Sequence, residues 1–548
     1  MKKKSFLIIH AIAMIFMLSG CYKQNTSNHS KSGNFGSKQI LFLAETQEIP
    51  TMDVTKATDT VSAHILGNVM EGLYRLDKEN KLVPGMAESY NISPDRKKYT
   101  FHIRKSAKWS NGDTVTAKDF VFAWQRLVDP ATAAEYAFIA YPIKNAKAIH
   151  EGGSMTQSLG AKVIDDYTLE VELENPVPYF LNLTAFPSFY PINEKVVTDR
   201  GDTYGLEAAT VVYNGPFTMT EWKHEQGWTL QKNKHYWDKQ AVKLEKIHFN
   251  VVKEPSTLIN LYDSGQLDRA LLTSDFTDKY KGRKDEFGTY LEASTTFLQL
   301  NQKRNQQDTL FKNKKIREAI ALTIDKKQLA GILLNDGSIP VNYFVPKGFT
   351  QGPDGKDFRT SFHNGLQYNV AKAKQLWKEG KQEVKKKQWT IELLNYDTGN
   401  QKKIGEYIKE QLEKNLEGIT VKLKPIPFKQ KLKLESDKDF DCSIAAWQPD
   451  YADPMSFIDM FETKNSLNNI NYTNPTYDGI IKNEWIVDNQ TRWGNLGQAE
   501  KILLEGDVAI VPLFQHGQSY VQRPNVHNVY HHMISPMYSY KWAYITEK

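Results

Sequence analysis

Residues 389–426 read WTIELLNYDTGNQKKIGEYIKEQLEKNLEGITVKLKPI. Trp389 to Tyr396 has the short, mostly apolar pattern of a strand. From Asn400 to Leu416 the apolar residues Ile404, Tyr407, Ile408 and Leu412 fall on one face of a helix. Gly418 stops that helix, and Ile419 to Ile426 reads as a second strand. Strand, helix and strand within about forty residues predict a right-handed parallel unit, and with it an α/β fold. A further strand is expected over Asp439 to Trp447, so the next stretch, AAWQPDYADP at 445–454, lies at its carboxyl end. Ligands of open α/β sheets bind outside the carboxyl ends of strands. Asp450 therefore stands where a ligand is expected. A carboxylate there is costly to bury without a cation beside it. An internal salt bridge or a helix cap would also satisfy it.

Working outward, Tyr99, Phe101 and Ile103 alternate with polar residues, as a half-buried strand does. Asn111-Gly112 turns the chain. Thr116 and Asp119 have the spacing of a capping box, and Phe120, Val121, Trp124 and Leu127 follow at helical intervals. Leu169, Val171 and Leu173 alternate again before Pro176 and Pro178 end the run. No fixed-period repeat is present.

The chain has 548 residues, more than one core accommodates, so two or three domains are expected. Its N-terminus, MKKKSFLIIHAIAMIFMLSGC, joins three lysines to an apolar run too short to span a bilayer. This is an export signal. Leu18-Ser19-Gly20-Cys21 resembles a lipoprotein box, in which Cys21 becomes the lipid-bearing first residue. An ordinary signal peptide with an incidental cysteine is the alternative. Residues 21–38 are polar and rich in Ser, Asn and Gly, as a flexible tether is. With Cys21 acylated, Cys442 stands alone; no internal disulfide forms, and Cys442 reads as a small buried hydrophobe. Without Lys2, Lys3 and Lys4, the 70 basic residues fall to 67, against 64 acidic ones. That balance does not favour nucleic acid as a partner.

The usual signatures of chemistry are missing. There is no phosphate-binding glycine loop, no H-E-x-x-H and no G-x-S-x-G. His531 and His532 are adjacent, so their side chains diverge on a strand or helix. No cofactor, metal or catalytic residue is expected.

Several stretches together carry a resemblance. They are Val69-Met70-Glu71-Gly72-Leu73-Tyr74, the run YTFHIRKSAKWSNGDTVTAKDFVFAWQRL at 99–127, Glu174 to Phe180, Tyr213-Asn214-Gly215-Pro216-Phe217, and Asn233 to Asp238. In this order they resemble the extracytoplasmic oligopeptide-binding proteins of ABC importers, from about Gln39 to the C-terminus. The resemblance implies a two-lobed periplasmic-binding-protein-like fold, class II or cluster C, with a cleft, a hinge and an extra inserted domain. Lobe I would comprise 39–70, 194–296 and 539–548, the insertion 71–193, and lobe II 297–538, after a signal peptide over 1–20.

The resemblance further implies that Asp450 receives a peptide's α-ammonium, so that the missing cation belongs to the ligand. Ala446, Trp447 and Gln448 would pair with the peptide backbone. Asp59, Thr60 and Val61 would face them from lobe I, and Tyr136 and Tyr538 would line the same cleft. Ile444 stands where some members carry an arginine for the peptide carboxylate, which implies either that the ligand's C-terminus is met elsewhere or that the ligand is longer and more apolar. The sequence also resembles the pheromone-binding lipoproteins of enterococci. The implied protein is a lipid-anchored monomer on the outer face of the cell membrane. It would pass short peptides to an ABC permease. Dipeptides, nickel complexes and sugars are alternative cargoes, and a surface peptidase or an adhesin is the alternative outside the fold.

Overall fold

The computed structural model describes residues 35–547 except 37, 364, 386–387, 398, 450, 464, 466 and 483–487. The expected parallel unit is present. Strand Trp389–Tyr396 runs parallel to Ile419–Ile426 in continuous register, from Trp389 opposite Ile419 to Tyr396 opposite Ile426. Helix Gly399–Asn415 connects them. Gly418 ends the connection with φ +81°, a left-handed value that glycine adopts without strain.

These strands belong to a seven-stranded mixed sheet. Its order is Arg269–Leu272, Ile510–Gln522, Phe287–Leu300, Cys442–Trp447, Trp389–Tyr396 and Ile419–Ile426, with Gly337–Pro340 paired to the second of them. Cys442–Trp447 alternates between two apolar cores. Cys442 and Ile444 enter one, with Leu298, Leu393 and Val421. Ala445 enters the other, with Phe297 and Leu394. Burial drives the Cys442 thiol pKa well above its ordinary value, as suits a small core residue.

A second sheet, ordered Ile40–Glu45, Lys246–Val251, Gly227–Lys232 and Phe217–Lys223, forms the other lobe. Its core is continuous with that of the segment between its first and later strands: Leu41, Phe249, Phe101 and Trp124 belong to one apolar cluster. Within that segment, Lys98–Ile103 pairs with Ala87–Ile92 and Thr168–Glu172. Helix Ala117–Val128 buries Phe120, Trp124 and Leu127 at the expected spacing. The Thr116 amide donates to Asp119 Oδ2 at 2.7 Å, so the reach-back arm of the cap is formed.

The long strands Phe287–Leu300 and Ile510–Gln522 run antiparallel. Their pairing shifts register between Leu291 and Thr295 and again between Thr296 and Phe297, bulges that bend the pair. Across the gap between the lobes, the Tyr179 and Tyr451 rings stack with centroids 4.0 Å apart. Arg96 Nη1 donates to Asn489 Oδ1 at 3.2 Å.

Candidate functional site: an interlobe cleft

Strand Cys442–Trp447 brings backbone to the cleft. On one side it pairs with Phe287–Leu300 as far as Trp447, opposite Thr295. On the other, its ladder with Trp389–Tyr396 ends at Leu394 opposite Ser443. Among the described residues, Ile444–Trp447 thus has ladder partners along one edge only, and its remaining edge is a template for an added strand. Gln448 and Pro449 follow, and proline, having no N–H, cannot continue a ladder.

At this strand end lies a cavity of about 160 Å³. Asp59 and Thr60 line it from the start of helix Thr60–Val69, Tyr136 and Phe186 from the segment between the first and later strands of the second sheet, and Gln448 and Pro449 from the end of strand Cys442–Trp447. Four of the residues singled out in the sequence, Asp59, Thr60, Tyr136 and Gln448, therefore converge there. Tyr136 is stacked on Phe186, with centroids 5.8 Å apart. Asp59 has a structural task as well. It caps helix Thr60–Val69, Oδ1 accepting from the Ser62 amide at 2.8 Å. The Thr60 and Val61 amides, in the first turn, have no intrahelical acceptor.

The other singled-out residues lie elsewhere. Trp447 lines a neighbouring cavity of about 410 Å³ and donates from Nε1 to the Ser456 carbonyl at 2.6 Å. Ala446 is exposed on the open-edged part of the strand. Val61 is buried in the first turn of its helix. The Tyr538 hydroxyl lies 2.5 Å from that of Tyr290, and its ring is 5.2 Å from the Arg269 guanidinium. Ile444 lies on the open-edged part of the strand by its backbone. Its side chain is 2 % exposed and packed in the lobe II core, because alternation along the strand turns it inward with Cys442. Asp450 and Cys21 lie outside the described residues. Three positions beyond Asp450, Asp453 is held by Arg492 within lobe II at 2.7 and 2.9 Å.

The sequence reading missed the rings of the larger cavity: Phe138, Tyr141, Tyr179 and Tyr451. Tyr179 and Tyr451 sit in short proline-bearing runs, ENPVPYF and PDYADP, where an aromatic at a strand exit was the available signal. Phe138 lies in a 3-10 turn and carries no periodic signal. His531 and His532 do diverge. His531 stacks on Tyr290 at 3.8 Å, and His532 Nδ1 lies 3.0 Å from Asn80 Oδ1.

The model for bacterial extracellular solute-binding proteins, family 5 Middle, matches residues 81–469. The chain belongs to this family. It is 36% identical over 541 residues to the dipeptide-binding protein DppE of Bacillus subtilis, covering 97% of each chain. Among solved structures, it resembles the substrate-binding domain of an oligopeptide ABC transporter from Bacillus anthracis. The identity is 61% and the TM-score 0.76, with 94% of this chain and 100% of that one covered. It also resembles the pheromone receptor PrgZ, at 38% identity and TM-score 0.75, covering 93% of this chain and 100% of that one. The relatives it matches are solute-binding proteins. Among the described residues, no helix is long and apolar enough to cross a membrane.

Proposed function

We propose that this family 5 protein captures short peptides as an extended strand along the open edge of Ile444–Trp447, and delivers them to an ABC permease. In this reading Asp450 accepts the peptide's α-ammonium. Cys21 carries a lipid that holds the monomer at the outer face of the membrane, and the insertion spans 71–193 between the parts of lobe I. The observation that carries the reading is the convergence of Asp59, Thr60, Tyr136 and Gln448, from three separate segments, on one cavity at the end of a half-paired strand.

Any peptide offers a backbone ladder and an amine, so these parts bind without reading sequence. Each backbone hydrogen bond contributes roughly 0.5–1.5 kcal/mol net, and one to a charged group roughly 1.5–3. Several of them in a closed cleft suffice for micromolar binding after the cost of association.

The test is mass spectrometry of the ligand that co-purifies, followed by calorimetry with free and N-acetylated forms of that peptide. Free peptide should bind far more tightly. Equal affinities would remove Asp450 from its role, and a glycan or metal complex in place of a peptide would end the reading. Likeness to the dipeptide-binding protein DppE favours dipeptides, and likeness to the pheromone receptor PrgZ favours a peptide pheromone. A length series in the same calorimeter separates the two.

A further inference from the structure

The end of strand Gly227–Lys232 and the loop after it wall a cavity of about 820 Å³. Among the described residues, it shares no lining residue with either cavity of the cleft. Lys232, Lys234, Lys239 and Glu245 line it, with the polar side chains of Ser110 and Gln240. Residues 231–246 hold five lysines against two carboxylates, Asp238 and Glu245. That excess of three equals the excess of 67 basic over 64 acidic residues in the whole chain without Lys2, Lys3 and Lys4.

Both carboxylates are already paired. Asp238 accepts from Lys541 at 2.7 Å, and Glu245 lies 3.6 Å from Lys232. Lys234, Lys239, Lys243 and Lys246 are exposed, and none of them meets a carboxylate among the described residues. Lys239 donates to the Lys234 carbonyl at 3.3 Å, and Lys243 to the Gln240 carbonyl at 2.8 Å. Unbalanced ammonium groups beside hydroxyl and amide donors suit a phosphate oxyanion.

The path of the N-terminal chain selects which phosphate. The Gln39 carbonyl accepts from the Glu245 amide at 2.8 Å and the Lys246 amide at 3.3 Å, so the chain enters the fold at the rim of this cavity. The fourteen residues from Cys21 to Asn34 reach at most about 50 Å. A lipid on Cys21 would keep this face within that distance of the bilayer, at an effective concentration where weak contacts suffice. Two exposed rings stand near the entry. Phe35 is 56 % exposed, and Phe42, 41 % exposed, lies opposite His248 on the face that Lys246 shares. Rings among lysines suit the headgroup region of a membrane.

Resting on the lipid-anchored reading, we infer that this lysine face docks on the anionic phosphate headgroups of the membrane to which Cys21 would be tied. The contact fixes which side of the protein faces the bilayer.

The experiment uses the full mature chain with Cys21→Ser, so that no lipid carries it. It is sedimented with vesicles of phosphatidylcholine alone, or of equal parts phosphatidylcholine and phosphatidylglycerol. Binding should be confined to the mixed vesicles and should weaken as salt rises. Lys234→Glu with Lys239→Glu should lower it about tenfold or more, the scale of two lysines near an anionic surface. Lys402→Glu with Lys403→Glu makes the same charge change at exposed sites on helix Gly399–Asn415, and should leave binding within about twofold. Unchanged thermal unfolding shows that both variants fold, and both should keep wild-type affinity for the co-purified peptide. No binding to mixed vesicles, equal binding to both kinds, or an equal loss in the two variants overturns the proposal. Lysine-dependent binding of inorganic phosphate without sedimentation overturns it too, and assigns the cavity to a free anion. The mass of the intact chain taken from its membrane tests the lipid separately. A bare Cys21 ends the anchored reading, while the vesicle result, obtained without that lipid, still decides the surface.

Discussion

The two cavities at the end of strand Cys442–Trp447 differ in what they ask of a ligand. The smaller presents the polar side chains of Asp59, Thr60 and Gln448 beside an open strand edge. The larger presents rings and aliphatic chains, which only some side chains satisfy. Yet both take part of their wall from lobe II, the larger around Trp447 and Tyr451 and the smaller at Gln448 and Pro449. Two cavities of different chemistry are thus neighbours at one strand end, and substitutions should separate their roles.

The largest separation is expected from Asp450→Asn. An ammonium left buried without its counter-charge costs about 3–5 kcal/mol, more than a hundredfold in affinity. N-acetylated peptides, weak already, should scarcely change. Calorimetry of both peptide forms checks this.

Acid should loosen the wall behind the smaller cavity. Ser535 lines that cavity, and His531 and His532 precede it. Burial, with Arg269 near the first ring and Arg75 near the second, lowers their pKa values to about 3 and about 4, from 6.5. The unfolded chain therefore takes up protons between pH 6.5 and 4 that the folded protein refuses. The stability these rings contribute is complete above pH 6.5 and is lost as the pH falls, by about 3 kcal/mol for His532 alone once pH 4 is passed. A Tm measured against pH should decline through this window, and less steeply in His532→Gln.

A smaller effect is expected where the lobes touch. The Tyr179–Tyr451 stack is worth about 0.5–1.5 kcal/mol beyond its buried area. Tyr179→Leu and Tyr451→Leu should each weaken peptide binding severalfold, and a double-mutant cycle should return a coupling of that size. No coupling would mean that the rings do not contribute to closure as a pair.

The smallest effect on binding belongs to Asp59→Ala. Its carboxylate caps helix Thr60–Val69, so the loss should be about 1 kcal/mol of stability, with less than about threefold in affinity. A larger loss of affinity, with stability intact, would make Asp59 a ligand residue first and a cap second.

The local elements were legible because their signals are local. The helix read as Asn400–Leu416 is observed as Gly399–Asn415, and the alternation at Tyr99, Phe101 and Ile103 appears as a strand of the insertion. The order of the sheet was not legible, since Phe287–Leu300 and Ile510–Gln522 meet only through pairing between distant parts of the chain. Of the site, the cluster of Asp59, Thr60, Tyr136 and Gln448 was found through resemblance, because no spacing rule links residues from three segments. Ile444 came from resemblance as well, and its side chain packs in the core with Cys442 while its backbone belongs to the open-edged part of the strand. Tyr179 and Tyr451 were visible as residues but not as partners, since each acquires its meaning only when the lobes close.

The way the cores are joined bears on how a peptide is admitted. Leu41 and Phe249 of lobe I share a single apolar cluster with Phe101 and Trp124 of the insertion, so the two have no slack layer between them and should travel as one jaw. Lobe II is then the other jaw, and one swing shuts both hollows. A peptide captured as proposed would be enclosed by that single movement of lobe II against the joined mass on the other side.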